Sequence, residues 1–443
     1  MKYFGTDGIR GPVGGKVINP AIVTRVGYAL GTVLKKQTAQ PCVLLGRDTR
    51  ISGELLQGSL QQGLILSGVD VVLLGILSTP AIAYFTQRFR ATAGIVISAS
   101  HNPYQDNGIK IVDEEGHKLS ESLEIEIETA IDALCHLPQS TDRSGSVTLL
   151  SDTASQYISH CMNLFSGISL SGYQLVIDCA NGATSFVAEN IFSALGAQCN
   201  TIHAKPDGFN INALCGATDV ADLQLQVRKT KATVGLAFDG DGDRLMMVDA
   251  TGTKVDGDEI LGILALHDNN CRAVAGTLMS NLGLEKALIE KGIRFERTAV
   301  GDRYVLECLR EKNWRLGGES SGHIVHLDYG TTGDGILTAL QVLSVMKKTG
   351  KSLQALTALI QKRPQILINV FVESPQILLN NQQVQLAVKE AEKKLGDTGR
   401  VLLRASGTES CVRVMVEANN ADQSHAIAKT IAEVVRAEAL VQS

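Results

Sequence analysis

Short apolar runs that alternate with helical patterns constrain the fold of this chain more than any other feature. Strand-like runs lie at 42–46, 71–77 and 93–97, and helical patterns alternate with them. The runs are rich in aliphatic and β-branched residues and end in polar turns, as the buried strands of parallel sheets do. This order predicts parallel βαβ units and therefore an α/β architecture.

The same alternation restarts twice along the 443 residues, which is too long a chain for one hydrophobic core. New cycles begin with the strand-like run at 174–178 and again after about residue 251. The last block has strands and helices in an α+β order. We therefore predict three similar mixed-sheet α/β domains followed by a C-terminal α+β domain. The predicted domains are 1–150, 151–250, 251–365 and 366–443.

Charge and cysteine usage limit the partners and the compartment. The 46 acidic and 41 basic residues give a net charge of −5, so there is no general basic surface for nucleic acid or anionic membranes. The nine cysteines are scattered singly, as is typical of reduced thiols. No apolar run approaches the roughly 18 residues of a membrane span, and the start lacks a signal-peptide pattern. We expect a cytoplasmic protein.

Ser100 is the candidate nucleophile. It follows the strand-like run 93–97, at the kind of sheet edge where ligands bind in open α/β folds. Serine needs a base or a dense positive field to react, and His101 and Lys110 could supply either. The alternative is a serine-rich turn without a catalytic role.

Three carboxylates at alternate positions form the candidate metal loop. Asp239, Asp241 and Asp243 are separated by glycines, which let the backbone fold tightly around one hard cation such as Mg²⁺. Arg244 follows directly and could bind a phosphoryl oxygen. The alternative is a solvated acidic turn.

Two further loops have the composition of anion sites. The glycine-rich loop 4–11 carries Arg10 and can wrap an anion. The second loop combines a guanidinium, two hydroxyls and a glycine that frees backbone N–H groups, and Arg413 on the following strand could join it. Its residues are Arg404, Ser406, Gly407 and Thr408. An ordinary Ser-Gly turn is the alternative.

The loop 317–323 supports two interpretations. It matches the Gly-x-Ser-x-Gly elbow of serine hydrolases, which would make Ser320 a nucleophile, but the elbow requires a following helix and a strand is predicted here. Glu319, Ser321 and His323 instead suit hydrogen bonding to sugar hydroxyls, with His323 as a general acid or base. His323 could equally be a structural histidine.

Taken together, these stretches resemble the α-D-phosphohexomutase superfamily, and within it the branch that acts on glucosamine phosphates. The resemblance spans essentially the whole chain, with five unrelated motifs in the family's order. These are Phe4-Gly-Thr-Asp-Gly-Ile-Arg10-Gly11, Ser98-Ala-Ser-His-Asn-Pro103, Asp239-Gly-Asp-Gly-Asp-Arg244, Gly317-Gly-Glu-Ser-Ser-Gly-His323 and Arg404-Ala-Ser-Gly-Thr-Glu409.

The resemblance implies four domains around a central cleft and a role for each loop. Ser100 would carry a phosphoryl group, and one Mg²⁺ would be held by Ser100 and the three aspartates. Arg10, Lys110 and Arg244 would surround the transferring group. Glu319 and Ser321 would grip the sugar. The non-reacting phosphate would be bound by Arg404, Ser406, Gly407 and Thr408.

The implied reaction interconverts glucosamine 6-phosphate and glucosamine 1-phosphate on the route to UDP-N-acetylglucosamine and the cell wall. Glucosamine or glucose 1,6-bisphosphate would be intermediate and activator, and the family suggests a homodimer. Two positions depart from the family pattern: Ser320 stands where glutamine is usual and Ser410 where proline is usual. A phosphoglucomutase or phosphomannomutase of the same superfamily, or a non-catalytic sugar-phosphate sensor, remains an alternative.

Overall fold

Four sheets follow one another along the chain in the computed structural model, which describes residues 2–5, 7–134, 136–137, 144–406 and 410–442. The first unit contains β1 (Phe4–Gly5), β2 (Gly8–Pro12), α1 (Pro20–Leu34), β3 (Cys42–Arg47), α2 (Gly53–Leu66), β4 (Asp70–Ile76), α3 (Thr79–Phe89), β5 (Ala93–Ile97), β6 (Asp106–Asp113), α4 (Glu121–Ala133) and β7 (Val147–Leu149).

The first sheet is mixed, with the strand order β1-β2-β6-β5-β3-β4-β7. Strand β3 pairs in parallel with β4 and β5, whereas β6 runs antiparallel to both β5 and β2. The carboxyl ends of β3, β4 and β5 therefore meet at one edge. Helix α3 begins at this edge, where the Ser78 side chain accepts a hydrogen bond from a backbone N–H of the first turn.

The second unit is a five-stranded mixed sheet of order β12-β11-β10-β8-β9. Its elements are α5 (Thr153–Leu164), β8 (Gln174–Asp178), a 3₁₀ helix (Ala183–Phe186), α6 (Ala188–Ala194), β9 (Gln198–Ile202), a second 3₁₀ helix (Gly216–Thr218), α7 (Ala221–Thr230), β10 (Val234–Phe238), β11 (Leu245–Asp249) and β12 (Lys254–Val255). Strand β12 extends this sheet a few residues beyond the boundary predicted at residue 250.

The third unit is a four-stranded mixed sheet of order β14-β13-β15-β16. Its elements are α8 (Gly257–His267), β13 (Ala273–Thr277), α9 (Leu282–Glu290), β14 (Arg294–Thr298), α10 (Asp302–Glu311), β15 (Leu316–Gly318), β16 (Ile324–His326), α11 (Gly335–Thr349) and α12 (Leu353–Thr357).

The fourth unit is a three-stranded antiparallel sheet of order β17-β19-β18 with helices. It contains β17 (Gln365–Phe371), α13 (Pro375–Leu379), α14 (Gln382–Leu395), a 3₁₀ helix (Gly396–Thr398), β18 (Arg400–Ala405), β19 (Cys411–Glu417) and α15 (Ala421–Gln442). Three mixed α/β units followed by an α+β unit confirm the predicted fold class. None of the described helices is both long and apolar enough to span a membrane.

The hydrophobic cores show which units are packed together. Phe85, Phe192 and Leu343, from the first, second and third units, belong to one buried cluster. The fourth unit has its own core, which includes Val414 and Ile431. The first three units therefore form one packed body, and the site described below lies where they meet.

Candidate active site

Ser100 is held in an unusual backbone conformation just after β5. Its φ angle is 52°, in the left-handed region that non-glycine residues rarely adopt. The Ser100 N–H donates to Ser98 Oγ at 2.9 Å, and the Ser98 hydroxyl donates to Asp48 Oδ2 at 2.6 Å. All three side chains are buried. The surrounding hydrogen bonds therefore fix the direction of the Ser100 side chain.

Arg50, which is buried, also holds the Ser100 loop in place. The Nε atom of Arg50 pairs with Asp48 Oδ2 at 2.9 Å, and Nη2 donates to the carbonyl oxygens of Ser100 (3.0 Å) and Asn102 (2.8 Å). Its Nη1 donates to the Pro103 carbonyl. A guanidinium carries five donors in a rigid fork, so one side chain can hold several carbonyls at once.

The second unit also contacts this loop. Asn212 Nδ2 donates to the carbonyl oxygens of Ser100 (2.9 Å) and Asn102 (3.1 Å). Gly240 approaches so closely that a Cβ atom there would lie 2.6 Å from the Ser100 carbonyl oxygen. Glycine at position 240 therefore lets the metal loop and the serine loop come together.

The three aspartates of the predicted metal loop converge on the candidate nucleophile. Asp239, Asp241 and Asp243 directly follow β10, are buried, and each offer a carboxylate oxygen within 4.8 Å of the others. The Ser100 hydroxyl donates to Asp239 Oδ2 at 2.7 Å. Two motifs 139 residues apart in sequence thus form one site.

The donor set of this loop fits a hard divalent cation. Asp241 Oδ1 and Asp243 Oδ1 are buried and have no hydrogen-bond partner within the described ranges. Burial, together with the charges of Asp243 and Asp241, raises the pKa of Asp239 well above its ordinary value. Clustered buried carboxylates require a compensating cation, and three oxygen donors suit Mg²⁺. The loop can therefore hold a metal ion.

Lys110 provides part of the compensating charge. Its Nζ lies 2.9 Å from Asp241 Oδ2 and 3.2 Å from both Asp243 Oδ2 and Asp7 Oδ2. Burial lowers the lysine pKa, but these carboxylates outweigh burial and raise it well above its ordinary value. Arg10 pairs with Asp7 at 2.5 Å. Lys110 therefore contacts the metal loop directly, and Arg10 is linked to Lys110 through Asp7.

Arg244 and His101 border the same loop. The Arg244 N–H donates to Asp239 Oδ1 at 3.1 Å, and its Nε lies 3.9 Å from Asp243 Oδ1. His101 Nδ1 lies 3.3 Å from Ser100 Oγ. Burial, and then the charges of Arg244 and Arg10, lower the pKa of His101 to about 4. The imidazole of His101 is therefore neutral at neutral pH and can accept a proton.

The third unit places His323 against the metal loop. Its Nδ1 lies 3.7 Å from Asp243 Oδ1, and its Nε2 lies 3.6 Å from Asp302 Oδ2. These carboxylates outweigh burial and raise its pKa to about 9. The Gly333 N–H points at Nε2 at 3.2 Å, a contact that requires the neutral ring. A cation bound to Asp243 would weaken the effect of that carboxylate on the His323 pKa and would favour the neutral ring.

Glu319 and Ser321, which share the loop 317–323 with His323, have different surroundings. Glu319 Oε1 accepts a hydrogen bond from the Gly301 N–H at 3.1 Å, and burial raises the Glu319 pKa. The buried Oγ of Ser321 has no hydrogen-bond partner in the described part of the chain. Such groups are available to sugar hydroxyls.

Ser320 lies in a turn between the antiparallel strands β15 and β16, without the helix of a nucleophile elbow, so the hydrolase alternative is wrong.

The predicted phosphate loop is described only in part. Arg404 and Arg413 are directly opposite partners on β18 and β19, so both side chains lie on one face of the sheet. Burial, and then the charge of Arg413, lower the Arg404 pKa. Two neighbouring guanidinium groups favour a bound anion. Ser406 follows β18, whereas Gly407 and Thr408 lie outside the described residues.

Several residues of the site were not predicted from the sequence. Thr79, at the start of α3, donates from Oγ1 to Asp241 Oδ2 at 2.6 Å. Lys118 connects Asp7 (2.6 Å) with Asp302 (2.7 Å), and so joins the first and third units. Thr79 lies just after the predicted strand 71–77, and this strand-exit position was the available signal for it.

Four family models match successive parts of the chain. They describe phosphoglucomutase/phosphomannomutase alpha/beta/alpha domains I, II and III and the C-terminal domain. The matched residues are 1–135, 155–252, 256–363 and 367–434. Together with the site, they define a phosphohexomutase: the chain belongs to the phosphoglucomutase/phosphomannomutase family. The predicted superfamily and the predicted enzyme class, an isomerase, are confirmed.

Two curated relatives narrow the comparison within this family. A phosphoglucosamine mutase of Hydrogenovibrio crunogenus is 52% identical over 439 residues, covering 99% of this chain and 98% of the relative. A phosphoglucosamine mutase of Coxiella burnetii is 49% identical over 448 residues, covering 99% of each. Among solved structures, a phosphoglucomutase/phosphomannomutase family protein of Burkholderia thailandensis matches with a TM-score of 0.82 and 25% identity, covering 98% of this chain and 97% of that one. The predicted resemblance to the glucosamine-phosphate branch is thereby confirmed.

Proposed function

We propose that this protein interconverts glucosamine 6-phosphate and glucosamine 1-phosphate through a phosphorylated Ser100 and a sugar bisphosphate. One observation carries the proposal: the Ser100 hydroxyl donates to Asp239 at 2.7 Å inside the buried metal loop, which is called the acidic loop from here on. A serine beside a candidate metal site supports a phosphoryl-transfer role over an acyl-transfer role. The name shared by the two relatives supports the choice of an amino sugar.

The acidic loop is proposed to hold one Mg²⁺. Asp239, Asp241 and Asp243 would bind it together with an oxygen of the Ser100 side chain. When bound, Mg²⁺ supplies positive charge that neutralises the phosphoryl oxygens.

Phosphoryl transfer depends mainly on positioning and on charge neutralisation. In the first half-reaction, a free sugar hydroxyl oxygen bonds to phosphorus while the bond from phosphorus to Ser100 Oγ breaks. The hydroxyl loses its proton, and Ser100 Oγ regains one. In the second half-reaction, Ser100 Oγ attacks the other phosphate of the bisphosphate and the sugar oxygen leaves. Lys110, Arg10 and Arg244 would neutralise the transferring group in both directions.

Proton transfer requires a group that is neutral when it accepts. His101 lies 3.3 Å from Ser100 Oγ and is neutral at neutral pH because its pKa is lowered to about 4, which also makes it a weak base. His323 would serve at the sugar hydroxyl, since it borders the acidic loop from the third unit. Both histidines are proposed as acid/base residues.

Substrate binding is proposed to use the third and fourth units. Glu319 would bind a sugar hydroxyl through its carboxylate. Ser321 would bind one through its Oγ, which has no hydrogen-bond partner in the described part of the chain. The phosphate that does not react would bind to Arg404, Ser406, Gly407, Thr408 and Arg413. The bisphosphate must turn end for end between the half-reactions, so this anion site must accept either phosphate. The fourth unit has a separate core, which is consistent with an opening motion.

The deciding experiment measures conversion of glucosamine 6-phosphate by the purified chain with Mg²⁺ and a trace of glucosamine or glucose 1,6-bisphosphate. We expect activity in the wild type and none in Ser100→Ala. Intact-mass analysis should show one phosphoryl group that phosphatase removes and that Ser100→Ala lacks. Mutase activity retained in Ser100→Ala would contradict the role of Ser100.

Parallel assays separate the remaining alternatives. Faster conversion of glucose or mannose phosphates would identify a phosphoglucomutase or phosphomannomutase, and binding of hexose phosphates without conversion would identify a sensor. Ser320 occupies the neighbourhood of the sugar-binding residues, so Ser320→Gln is the variant to compare for amino-sugar preference. The place on the route to UDP-N-acetylglucosamine, the cytoplasmic location and the homodimer stay predictions.

A further inference from the structure

A second cluster of metal-ligating side chains lies in the second unit, outside the acidic loop. Asp178 ends β8, His203 directly follows β9, and Cys215 directly precedes the 3₁₀ helix at Gly216–Thr218. One ligand atom from each lies within 4.8 Å of the other two. Asp178 and Cys215 are fully buried. We propose that these three residues bind one thiophilic divalent cation, with Zn²⁺ as the best match.

The ligand chemistry separates this cluster from the acidic loop. Thiolate, imidazole and carboxylate are the common protein ligands of Zn²⁺, at bond lengths of about 2.0–2.3 Å. Ligand atoms within 4.8 Å of one another can reach such bond lengths by small side-chain movements. Mg²⁺ prefers ligand sets made only of oxygen atoms, so the thiolate in this cluster favours a softer cation. Three protein ligands leave a fourth position for water.

The groups around the ligands already have the arrangement of a metal site. His203 presents Nδ1 to the cluster, and its Nε2 lies 3.3 Å from Asp222 Oδ2. A metal-binding histidine typically donates its other ring N–H to a carboxylate, which fixes the tautomer. Asp178 is oriented as well, because its two oxygens accept the N–H groups of Ala180 and Gly216, both at 2.9 Å.

Without a cation, protons compete for two of the ligand atoms. His203 Nδ1 lies 3.1 Å from Asp178 Oδ2, and this contact raises the pKa of His203. Cys215 is a free thiol, and burial, followed by nearby carboxylates, raises its pKa to about 12. A cation would replace both the thiol proton and any proton on the imidazole. Its affinity should therefore rise with pH.

A cation here would affect the candidate active site through one loop. His203 and Cys215 are the two ends of the segment 203–215, and this segment carries Asn212, which donates to the Ser100 and Asn102 carbonyls. Binding both ends to Asp178 would stabilise the segment. The site is thus expected to stabilise the serine loop without touching the substrate.

The test uses Co²⁺, which gives a near-ultraviolet thiolate charge-transfer band that carboxylates cannot produce. The full chain is first saturated with Mg²⁺ to fill the acidic loop and then titrated with Co²⁺ at neutral pH. We expect one equivalent to produce the band and Zn²⁺ to remove it by competition. Cys215→Ser should lack the band, and the matched control Cys199→Ser, a half-buried thiol of the same unit, should keep it.

A second variant keeps the proposal testable if Cys215→Ser fails to fold. Asp222→Asn leaves all three ligands in place and removes only the carboxylate behind His203, so Co²⁺ affinity should fall by about 10-fold to 100-fold. The absence of a band in the wild type would overturn the proposal. So would a band of equal strength in Cys215→Ser, or an unchanged affinity in Asp222→Asn.

Discussion

Asn212→Ala tests whether the second unit positions the candidate nucleophile. The change removes two hydrogen bonds, to the carbonyls of Ser100 at 2.9 Å and Asn102 at 3.1 Å. Both carbonyls keep Arg50 Nη2 as a donor, so neither is left unsatisfied. Each lost bond is then worth about 0.5–1.5 kcal/mol net, or about 1–3 kcal/mol for the pair.

This free energy should appear in catalysis because the two bonds fix the left-handed backbone of Ser100. If half of the mid-range value of about 2 kcal/mol is lost in the transition state, the remaining about 1 kcal/mol corresponds to about a fivefold lower kcat. KM should change little, since Asn212 is not proposed to touch the substrate. Steady-state kinetics on glucosamine 6-phosphate with saturating bisphosphate measure both constants.

Asn210→Ala is the matched control. Asn210 lies in the same segment, where its side chain donates to the Lys205 carbonyl and accepts from the Asp207 N–H. Asn210→Ala should leave kcat within about twofold, because the side-chain hydrogen bonds of Asn210 stay within the segment and do not reach Ser100 or Asn102. A wild-type kcat in Asn212→Ala, or equal losses in both variants, would refute the positioning argument.

Three further predictions concern charge and burial. Lys110→Met should lower the free energy of unfolding by about 3–5 kcal/mol without Mg²⁺, because it leaves buried carboxylates unpaired; urea unfolding should show partial recovery with Mg²⁺, and no recovery would contradict metal binding by the acidic loop. Removing Mg²⁺ with a chelator should abolish mutase activity reversibly, and activity that survives exhaustive chelation would argue against a metal. Burial raises the pKa of Asp334, the residue that caps the start of α11, from 3.8 to about 6, so the folded state holds a proton that the unfolded state releases. Stability from this group therefore falls as pH rises from about 4 to 6, by about 3 kcal/mol, and Asp334→Asn should flatten that slope in urea titrations; an unchanged slope would contradict the assignment.

The motifs and the family resemblance together predicted the convergence of Ser100 with the three aspartates. Each motif follows an apolar run, β5 or β10, and the ends of such strands face ligands in α/β sheets. The chemistry of the residues then indicated a nucleophile and a metal loop. The family resemblance supplied what spacing could not, namely that the two motifs face each other across a unit boundary.

The supporting contacts could not be predicted because most of them involve backbone carbonyls. Arg50 was not predicted as part of the site, although its guanidinium holds the Ser100 loop. Nothing in a sequence shows which carbonyl a distant side chain will reach. Strand β6 was also missed, since Asp106, Asn107 and Gly108 are typical of turns, yet they begin an eight-residue strand that pairs with β2 and β5. Pairing with two neighbours overrides local turn preference here.

The acidic loop is shaped by three units, which explains why no single unit contains a complete site. The first unit supplies Lys110 and the Thr79 N–H, which donates to the Asp241 carbonyl at 2.9 Å. The third unit donates the Gly335 N–H to the Gly242 carbonyl at 3.0 Å. Lys110 compensates two of the carboxylates, so part of the charge of the loop is balanced within the protein. The common core of the first three units then holds the loop and Ser100 together, whereas the fourth unit has a core of its own.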